Sequence, residues 1–262
     1  MTAKKNGRVA LVTGAGRGIG RAIAEAFGAE GMRVVVTARS EDQLAEVVAS
    51  IREAGGEATS MRTDLSDPEA AKQVIGQVKR EVGPVEILVN NAGVGSSENP
   101  MPVVDFDDAF WHLSMAVNLH APYILSKMAL PDMLAAKWGR IIIVASINSK
   151  VPALHGAAYA ASKHGVLGLM KVIAMETAGT GVTANAICPG PVRTAMNDAR
   201  IVYDAKRRGV ELSDIEETAT PMGRRLEPAE MAPMAVYLAS EGSSCVTGQG
   251  FNLDGGVLMT GC

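Results

Sequence analysis

The sequence predicts a doubly wound α/β fold, a parallel sheet of about seven strands with helices on both faces. Two observations carry that expectation and a third bounds it. Short β-branched runs alternate with stretches of helical periodicity along nearly the whole chain. The first run passes through a glycine-rich turn directly into a helix. With 262 residues, 47% of them hydrophobic, the chain can fill one large core, and no internal repeat, low-complexity tract or Pro/Ser-rich linker divides it. Residues 1–262 are therefore read as a single domain.

Val9 to Thr13 is a continuous apolar run ending in glycines, the pattern of a strand buried on both faces. Ile19 to Glu30 follows as a helix. Arg33 to Thr37 is the second strand, and Gln43, Leu44, Val47, Val48 and Ile51 recur behind it at the spacing of one helix face. A strand near Ala58 to Thr63, a helix from Pro68 to Val82 and a strand from Val85 to Val89 continue the alternation. Arg140 to Ala145 supplies the next strand between two long helical stretches, Phe106 to Ala136, which Pro122 can interrupt, and Ala157 to Ala178. Val182 to Ile187 makes a sixth strand and Gly250 to Leu253 a seventh. Parallel strands need crossover connections, so repeated βα units put helices on both faces of one sheet. Charges cluster from Met196 to Glu217, between a Pro-Gly-Pro turn and Pro221. This segment reads as a helical insertion forming a substrate lid over residues 194–222. Its charges are expected to be a solvated face, with Lys206, Arg207 and Arg208 able to meet the phosphates of a thioester carrier.

The formal net charge is −3 and both signs are interspersed, which offers no electrostatic footprint for nucleic acid or an anionic membrane. A small-molecule partner is expected. The polar stretch Met1 to Gly7 does not read as a signal peptide, and no apolar stretch approaches the roughly 20 residues of a membrane-crossing helix. Cys188, Cys245 and Cys262 have neither metal-ligand nor disulfide spacing, so reduced thiols, a cytoplasmic location and no bound metal are expected.

Thr13-Gly14-Ala15-Gly16-Arg17-Gly18-Ile19-Gly20 lies between the first strand and the first helix. Glycines there let the backbone turn tightly and approach a pyrophosphate, while the helix N-terminus offers free N–H groups and a positive dipole end. The spacing Gly14-x-x-x-Gly18-x-Gly20 resembles the fingerprint of the short-chain dehydrogenase/reductase family, and the resemblance covers nearly all of the chain. It implies a Rossmann-type fold and a nicotinamide cofactor held by Gly14, Arg17, Gly18, Ile19 and Gly20. Asp64, with Leu65 beside it, matches the family's aspartate at the adenine ring; read alone, it also suits a helix N-cap. Asn91, Ala92 and Gly93, within Asn90-Asn91-Ala92-Gly93, look like the motif lining the adenosine side, although an Asn-rich turn is the plainer reading. Pro189, Gly190, Val192 and Thr194 resemble the segment that closes over the nicotinamide.

Tyr159 and Lys163 are four apart on a predicted helix, so their side chains share one face, and Ser146 sits just beyond the preceding strand. Hydride transfer to a ketone leaves negative charge on oxygen, which calls for a proton from one group and a hydrogen bond from another. A tyrosine supplies that proton when its pKa of roughly 10 is pulled toward neutrality, and a nearby ammonium works in that direction. Lys163 is expected to lower Tyr159 and to bind the cofactor's ribose, and Ser146 to donate to the substrate oxygen. Ser146 with Tyr159-x-x-x-Lys163 resembles the family's active-site pattern, and Asn118 matches the asparagine that holds its water relay to lysine. In the wider family, enoyl reductases place the lysine further from the tyrosine, so this spacing implies carbonyl or alcohol chemistry. His155 is expected to be solvated and His164 to pack, and Cys188 to be a small buried hydrophobe.

At the end of the second strand Ala38 stands where NAD-binding members of the family carry an acid, and Arg39 follows it. With Arg17 in the glycine loop, two guanidiniums are available to a 2′-phosphate, so NADP(H) is favoured and NAD(H) left open. Val151, Leu154, Met196 and Met222 are expected to give the substrate pocket an apolar face. Within the resemblance, 3-oxoacyl-thioester reductases and secondary-alcohol dehydrogenases share every motif. Lys137 suits the docking of a carrier protein, whereas Thr180 stands where a second basic residue would be expected. The two long helical stretches are richer in Ala, Leu and Met than one sheet face needs, which with the family's habit points to a homotetramer, or a dimer. The competing reading is a nucleotide-binding sensor of the same fold without turnover.

Overall fold

In the computed structural model, which describes residues 7–259, the predicted alternation is realised as one sheet between two helical layers. The expectations for Met1 to Asn6 and for Cys262 lie outside the described residues. The first half comprises β1 (Val9–Thr13), α1 (Gly18–Ala29), β2 (Arg33–Ala38), α2 (Glu41–Glu53), β3 (Glu57–Arg62), α3 (Pro68–Glu81) and β4 (Ile87–Asn90). The second comprises α4 (Asp108–Met115), α5 (Ala121–Ala136), β5 (Gly139–Val144), α6 (Ala157–Glu176), β6 (Val182–Pro189), α7 (Ala195–Arg208), α8 (Leu212–Glu217), α9 (Ala232–Ala239) and β7 (Gly250–Leu253).

All neighbouring strands pair in parallel, in the order β3-β2-β1-β4-β5-β6-β7. Leu11 lies level with Val35 on one side and Leu88 on the other. Because side chains alternate along a strand, Leu11, Val35, Leu88, Ile141 and Ile143 join the core under α3, α5 and α6. Val12, Val34, Ile87, Val89 and Ile142 join the core under α1, α2 and α9. Every residue of β1, β4, β5 and β6 is buried, which is why β1, Ile87 to Val89 and Ile141 to Val144 read as unbroken apolar runs rather than alternating ones.

Three elements differ from expectation. Val85 is buried but precedes the ladder, since β4 meets β1 only across Ala10 to Val12; the strand instead runs on to Asn90. The stretch Phe106 to Ala136 is divided by a π-helical turn at Ala116–His120, and Pro122, which has no N–H to give the preceding turn, directly follows it at the start of α5. α9 was not anticipated because Ala-Pro-Met-Ala-Val-Tyr-Leu-Ala is nearly all apolar and shows no periodicity, yet Ala235 and Leu238 bury fully in the core beneath α1. The segment read as an insertion contains α7 and α8. Among the described residues no helix is long and apolar enough to cross a membrane, and no cluster of potential metal ligands occurs.

Strand order reverses between β1 and β4, so the connections leaving their carboxyl ends diverge and open a crevice. The glycine loop follows β1, Arg39 follows β2, Asp64 follows β3, Asn91 follows β4, Ser146 follows β5 and Gly190 follows β6. Residues far apart in sequence thereby gather along one edge of the sheet.

Candidate active site

At the reversal point the backbone is laced together by Thr13. Its hydroxyl accepts from the N–H groups of Asn91 (2.9 Å) and Ala92 (3.0 Å) and donates to the Val89 carbonyl (3.2 Å). The Asn91 amide donates to the carbonyls of Thr13 (2.9 Å) and Gly14 (3.1 Å), so its side chain braces the glycine loop. Gly14 and Gly18 adopt φ of +61° and +58°, the left-handed region that glycine enters without penalty. At Gly20 the constraint is space, for a Cβ would stand 2.4 Å from the Gly14 oxygen and 2.4 Å from Asn91 Nδ2. Arg17 occupies the N-cap of α1 without capping it by its side chain, leaving the first N–H groups beside Gly18, Ile19 and Gly20 free of a side-chain acceptor. A bare loop over an uncapped helix N-terminus fits a diphosphate. The start of α7 overhangs it, with the Thr194 methyl 3.1 Å from where a Gly18 Cβ would be.

The catalytic candidates converge further along the edge. Ser146 stands close enough to the Tyr159 phenol to favour its ionised form, and Ser146 Oγ accepts from the N–H of Asn148 (3.1 Å). Lys163 Nζ donates to the Val144 carbonyl (2.9 Å) and lies 5.8 Å from the centre of the Tyr159 ring. Burial holds the Lys163 ammonium down at about 8, with Cys188 opposing. Burial likewise pushes the Tyr159 phenol above its ordinary 10, and Ser146 offsets only part of that. The expected lowering of Tyr159 by Lys163 is thus reversed among the protein's own groups. The ammonium is directed at a carbonyl, and loss of water around the phenol outweighs it.

Asn118 lies in the π turn, which swells the helix toward the crevice. Its Oδ1 accepts from the N–H of Val94 (2.8 Å), and its Nδ2 donates to the Val94 carbonyl (3.0 Å) and Ser162 Oγ (3.1 Å). Ser162 Oγ donates in turn to the Tyr159 carbonyl (2.8 Å), so Asn118 couples the loop after β4 to the helix that carries Tyr159 and Lys163. Gly93 makes room for this, since a Cβ there would be 3.1 Å from Asn118 Oδ1.

At the other end, a cavity of about 300 Å³ is lined by Arg39, Arg62, Thr63, Asp64 and the outer face of α3. The Asp64 carboxylate accepts from Ser66 N–H (3.0 Å) and Oγ (2.8 Å), bonds that hold it below the usual carboxylate range with help from Arg39 and Arg62. It is not a helix cap, because Asp67 caps α3. Leu65 is buried beside it, and Arg17 and Arg39 are exposed. Pro189 ends β6, and Gly190 lets the chain pass Asp254, whose Cα would be 2.8 Å from a Cβ. Val192 then pairs with Leu226, and Thr194 caps α7 by accepting from Asn197 N–H (3.3 Å).

Other expectations fare differently. His155 is bonded to Tyr203 of α7 rather than solvated, and His164 is exposed, its ring on the Ala160 carbonyl (2.9 Å), rather than packed. Cys188 is fully buried as anticipated. The charges of the α7–α8 segment are not simply a solvated face, because buried Arg225 grips Asp198 (2.6 Å) and Glu216 (3.1 and 2.5 Å). Sequence reasoning passed over Thr13, Ser162 and Arg225. Thr13 had a signal, a hydroxyl at the junction of apolar strand and glycine loop, whereas the other two act through partners distant in sequence.

A family model described as short chain dehydrogenase matches residues 8–202. The chain belongs to the short-chain dehydrogenase family. It is 35% identical over 255 residues to a D-beta-hydroxybutyrate dehydrogenase of Cupriavidus necator, covering 96% of this chain and 98% of the relative. It is 35% identical over 253 residues to a 3-oxoacyl-(acyl-carrier-protein) reductase of Salmonella typhimurium, covering 97% and 98%. The crystal structure of an actinorhodin polyketide ketoreductase variant with NADPH superposes with a TM-score of 0.91 at 36% identity, covering 97% and 98%. This short-chain dehydrogenase is an oxidoreductase acting on CH–OH/C=O groups, and these relatives lend no support to a silent sensor.

Proposed function

We propose that this enzyme reduces a ketone to a secondary alcohol at the expense of NADPH, with a 3-oxoacyl thioester as the favoured substrate type. The observation that carries the reading is the Ser146–Tyr159 hydroxyl pair with Lys163 one turn away, beside a glycine cradle that fits a dinucleotide diphosphate. Bound there, the nicotinamide supplies the hydride. Tyr159 gives its proton to the carbonyl oxygen as negative charge develops, and Ser146 donates a hydrogen bond to the same oxygen. A phenol raised by burial is fully protonated at neutral pH, which suits an acid in the reductive direction. Lys163, still largely an ammonium at pH 7, binds the ribose hydroxyls, and Asn118 keeps the two loops in register and holds the water relay. Gly14, Gly18, Ile19, Gly20, Ala92 and Gly93 would hold the cofactor, and Pro189 to Thr194 would close over its nicotinamide end.

Arg17 and Arg39, both exposed at the adenosine end with Ala38 in place of an acid, support NADP(H) over NAD(H), and the actinorhodin ketoreductase was solved with NADPH. The α7–α8 segment acts as the lid, and Leu154, Met196 and Met222 give it an apolar, exposed inner rim. An apolar groove of about 500 Å³ lined by Met115, Leu119, Tyr123 and Leu169, flanked by exposed Met128, Val172 and Met175, supports assembly through α4 to α6 into a homotetramer, with a dimer as the smaller unit. The low net charge and the unpaired Cys188 and Cys245 suit the cytoplasm. The test is an NADPH and NADH oxidation screen over ketones and 3-oxoacyl thioesters, run with wild type and Arg39→Ala beside light scattering. Preference for NADPH that falls about tenfold on mutation supports the cofactor assignment, and a wild-type preference for NADH overturns it.

A further inference from the structure

Three segments that leave different parts of the sheet meet at Arg200 on α7. Its Nε and Nη2 bind the Asp204 carboxylate at 2.8 and 3.2 Å. Nη1 donates to the Leu154 carbonyl (3.1 Å) and reaches Ser96 Oγ at 3.4 Å. Its guanidinium carbon stands 5.3 Å from the centre of the Tyr203 ring. Leu154 belongs to the loop that enters α6 three residues before Ala157, and Ser96 to the loop that leaves β4 through Gly93. Alongside, the Tyr203 hydroxyl is hydrogen-bonded to His155 Nδ1. His155 has a φ of +57°, a conformation that a side chain with a Cβ keeps only when its surroundings hold it there. The same two surfaces touch again where Ser97 Oγ donates to the Met196 carbonyl (2.9 Å), and where Met196 fills the space a Gly95 Cβ would need.

We infer that Arg200, Tyr203 and His155 form a clasp that fixes the α7 helix to the loop leading to Tyr159, setting how a substrate carbonyl approaches the catalytic hydroxyls. Arg200 is a positioning residue. It is not placed to grip a substrate carboxylate with two parallel bonds, because four of its five N–H donors already meet Asp204, Leu154 and Ser96, and its side chain is only 19% exposed. An anionic substrate would have to displace Asp204 and break the clasp. The rim presented beside the clasp is Leu154 and Met196, which suits a ketone with a neutral, apolar body. This inference rests on the proposed reduction of ketones, and its experiment separates the two.

The first measurement is hydrogen exchange on the NADPH-bound enzyme, which needs no substrate. Arg200→Ala is expected to speed exchange in peptides spanning 195–208 and 150–158 together, by about tenfold, while peptides from β1 and β5 keep the wild-type rate. Tyr203→Phe keeps the ring under Arg200 and removes only the bond to His155, so it speeds exchange chiefly in 150–158. It also serves where Arg200→Ala does not fold. The second measurement is steady-state kinetics on a neutral ketone. KM rises about tenfold with kcat falling less than about threefold in Arg200→Ala, and Arg200→Lys recovers only part of the loss because it lacks the planar fork. Unchanged exchange in both segments for both variants overturns the clasp. A loss confined to carboxylate-bearing ketones also overturns it, by making Arg200 an anion partner. A wild-type enzyme without ketone turnover refutes the proposed reaction, and the exchange result still decides the clasp.

Discussion

The glycine cradle and the α7–α8 segment face one crevice and are held by opposite means. Around the cradle, order is written in the backbone: Thr13 and Asn91 bond main-chain groups, Gly14 and Gly18 supply the turn, and no charged side chain takes part. The α7–α8 segment has a small apolar cluster of Ile201, Ala205 and Ile215, and beyond that it is tied down by charge. Arg225 binds Asp198, Glu216 and Asn197 (3.2 Å), and Arg193 joins Glu216 (3.0 Å) to Glu227 (3.1 Å). Backbone lacing is short, uncharged and indifferent to pH, which suits a site whose ligand is always the same dinucleotide. Ion pairs on long side chains can be exchanged one at a time without disturbing the sheet, which suits the role of substrate lid proposed for this segment.

The sharpest separation of the two regions comes from the proposed catalytic tyrosine. Tyr159→Phe deletes the proton donor and little volume, so kcat is expected to fall about a thousandfold while NADPH affinity stays within about twofold. Stopped-flow turnover and fluorescence titration of NADPH check both halves. Retention of wild-type kcat refutes the assignment of Tyr159. Next in size is Gly20→Ala, which strikes the cradle. Its Cβ would meet a carbonyl oxygen and an amide at 2.4 Å, neither of which can retreat without undoing the loop. Overpacking of this kind costs about 3 kcal/mol, and NADPH affinity is expected to fall with stability. A variant that melts and binds as wild type does would show that the loop is looser than its contacts indicate.

The same contrast explains what was legible in the sequence. β1, the glycine loop and the Tyr159–Lys163 pair are encoded within a few residues of one another, so run length, glycine spacing and helical offset expose them directly. The π turn at Ala116–His120 was not legible, because nothing local marks one extra residue in a helical turn; it exists to bring Asn118 between Val94 and Ser162. Arg225 was likewise hidden, its partners Asp198 and Glu216 lying 27 and 9 residues away, and so was the bond between His155 and Tyr203, 48 residues apart. Features of the glycine cradle are local patterns, whereas those of the α7–α8 segment are pairings that only the fold creates.

Arg225→Met tests the charged half. Removing a buried guanidinium leaves Asp198 and Glu216 without their partner, yet both carboxylates reach solvent and can rehydrate, so the loss is expected to be about 2 kcal/mol. The pH dependence has a definite sign. Arg225 holds the Glu216 carboxyl below its ordinary 4.5, so the stabilisation is complete above that value and is lost as pH falls through the depressed pKa. The gap in thermal melts between wild type and Glu216→Gln should therefore be full at pH 7 and close progressively as pH is taken below 4.5 and on through the depressed pKa. A gap that persists at acid pH would mean that packing, rather than charge, holds α8.

The smallest effect expected runs against the intuition that a residue proposed for catalysis also helps hold its protein together. Lys163 is buried at the junction of the two regions, with its ammonium at about 8 against 10.5 for a free lysine. Below pH 8 the folded protein carries the whole cost of a buried charge. Between 8 and 10.5 the unfolded chain binds more protons than the folded one, so stability rises with pH as that cost is relieved. Above 9 the raised Cys188 thiol and above 10 the raised Tyr159 phenol act in the opposite sense, which makes pH 7 to 9 the window to read. Lys163→Met keeps the volume of the stem, removes the charge and gives up the bond to the Val144 carbonyl. Desolvation relieved less one charged hydrogen bond lost leaves a net gain of about 1 kcal/mol at pH 7, shrinking toward pH 9. NADPH affinity should drop in the same variant, since the ammonium is the group assigned to the ribose. A Lys163→Met protein that is less stable than wild type at pH 7, with a flat difference to pH 9, would show that the ammonium earns its place structurally through Val144 rather than being kept for the cofactor.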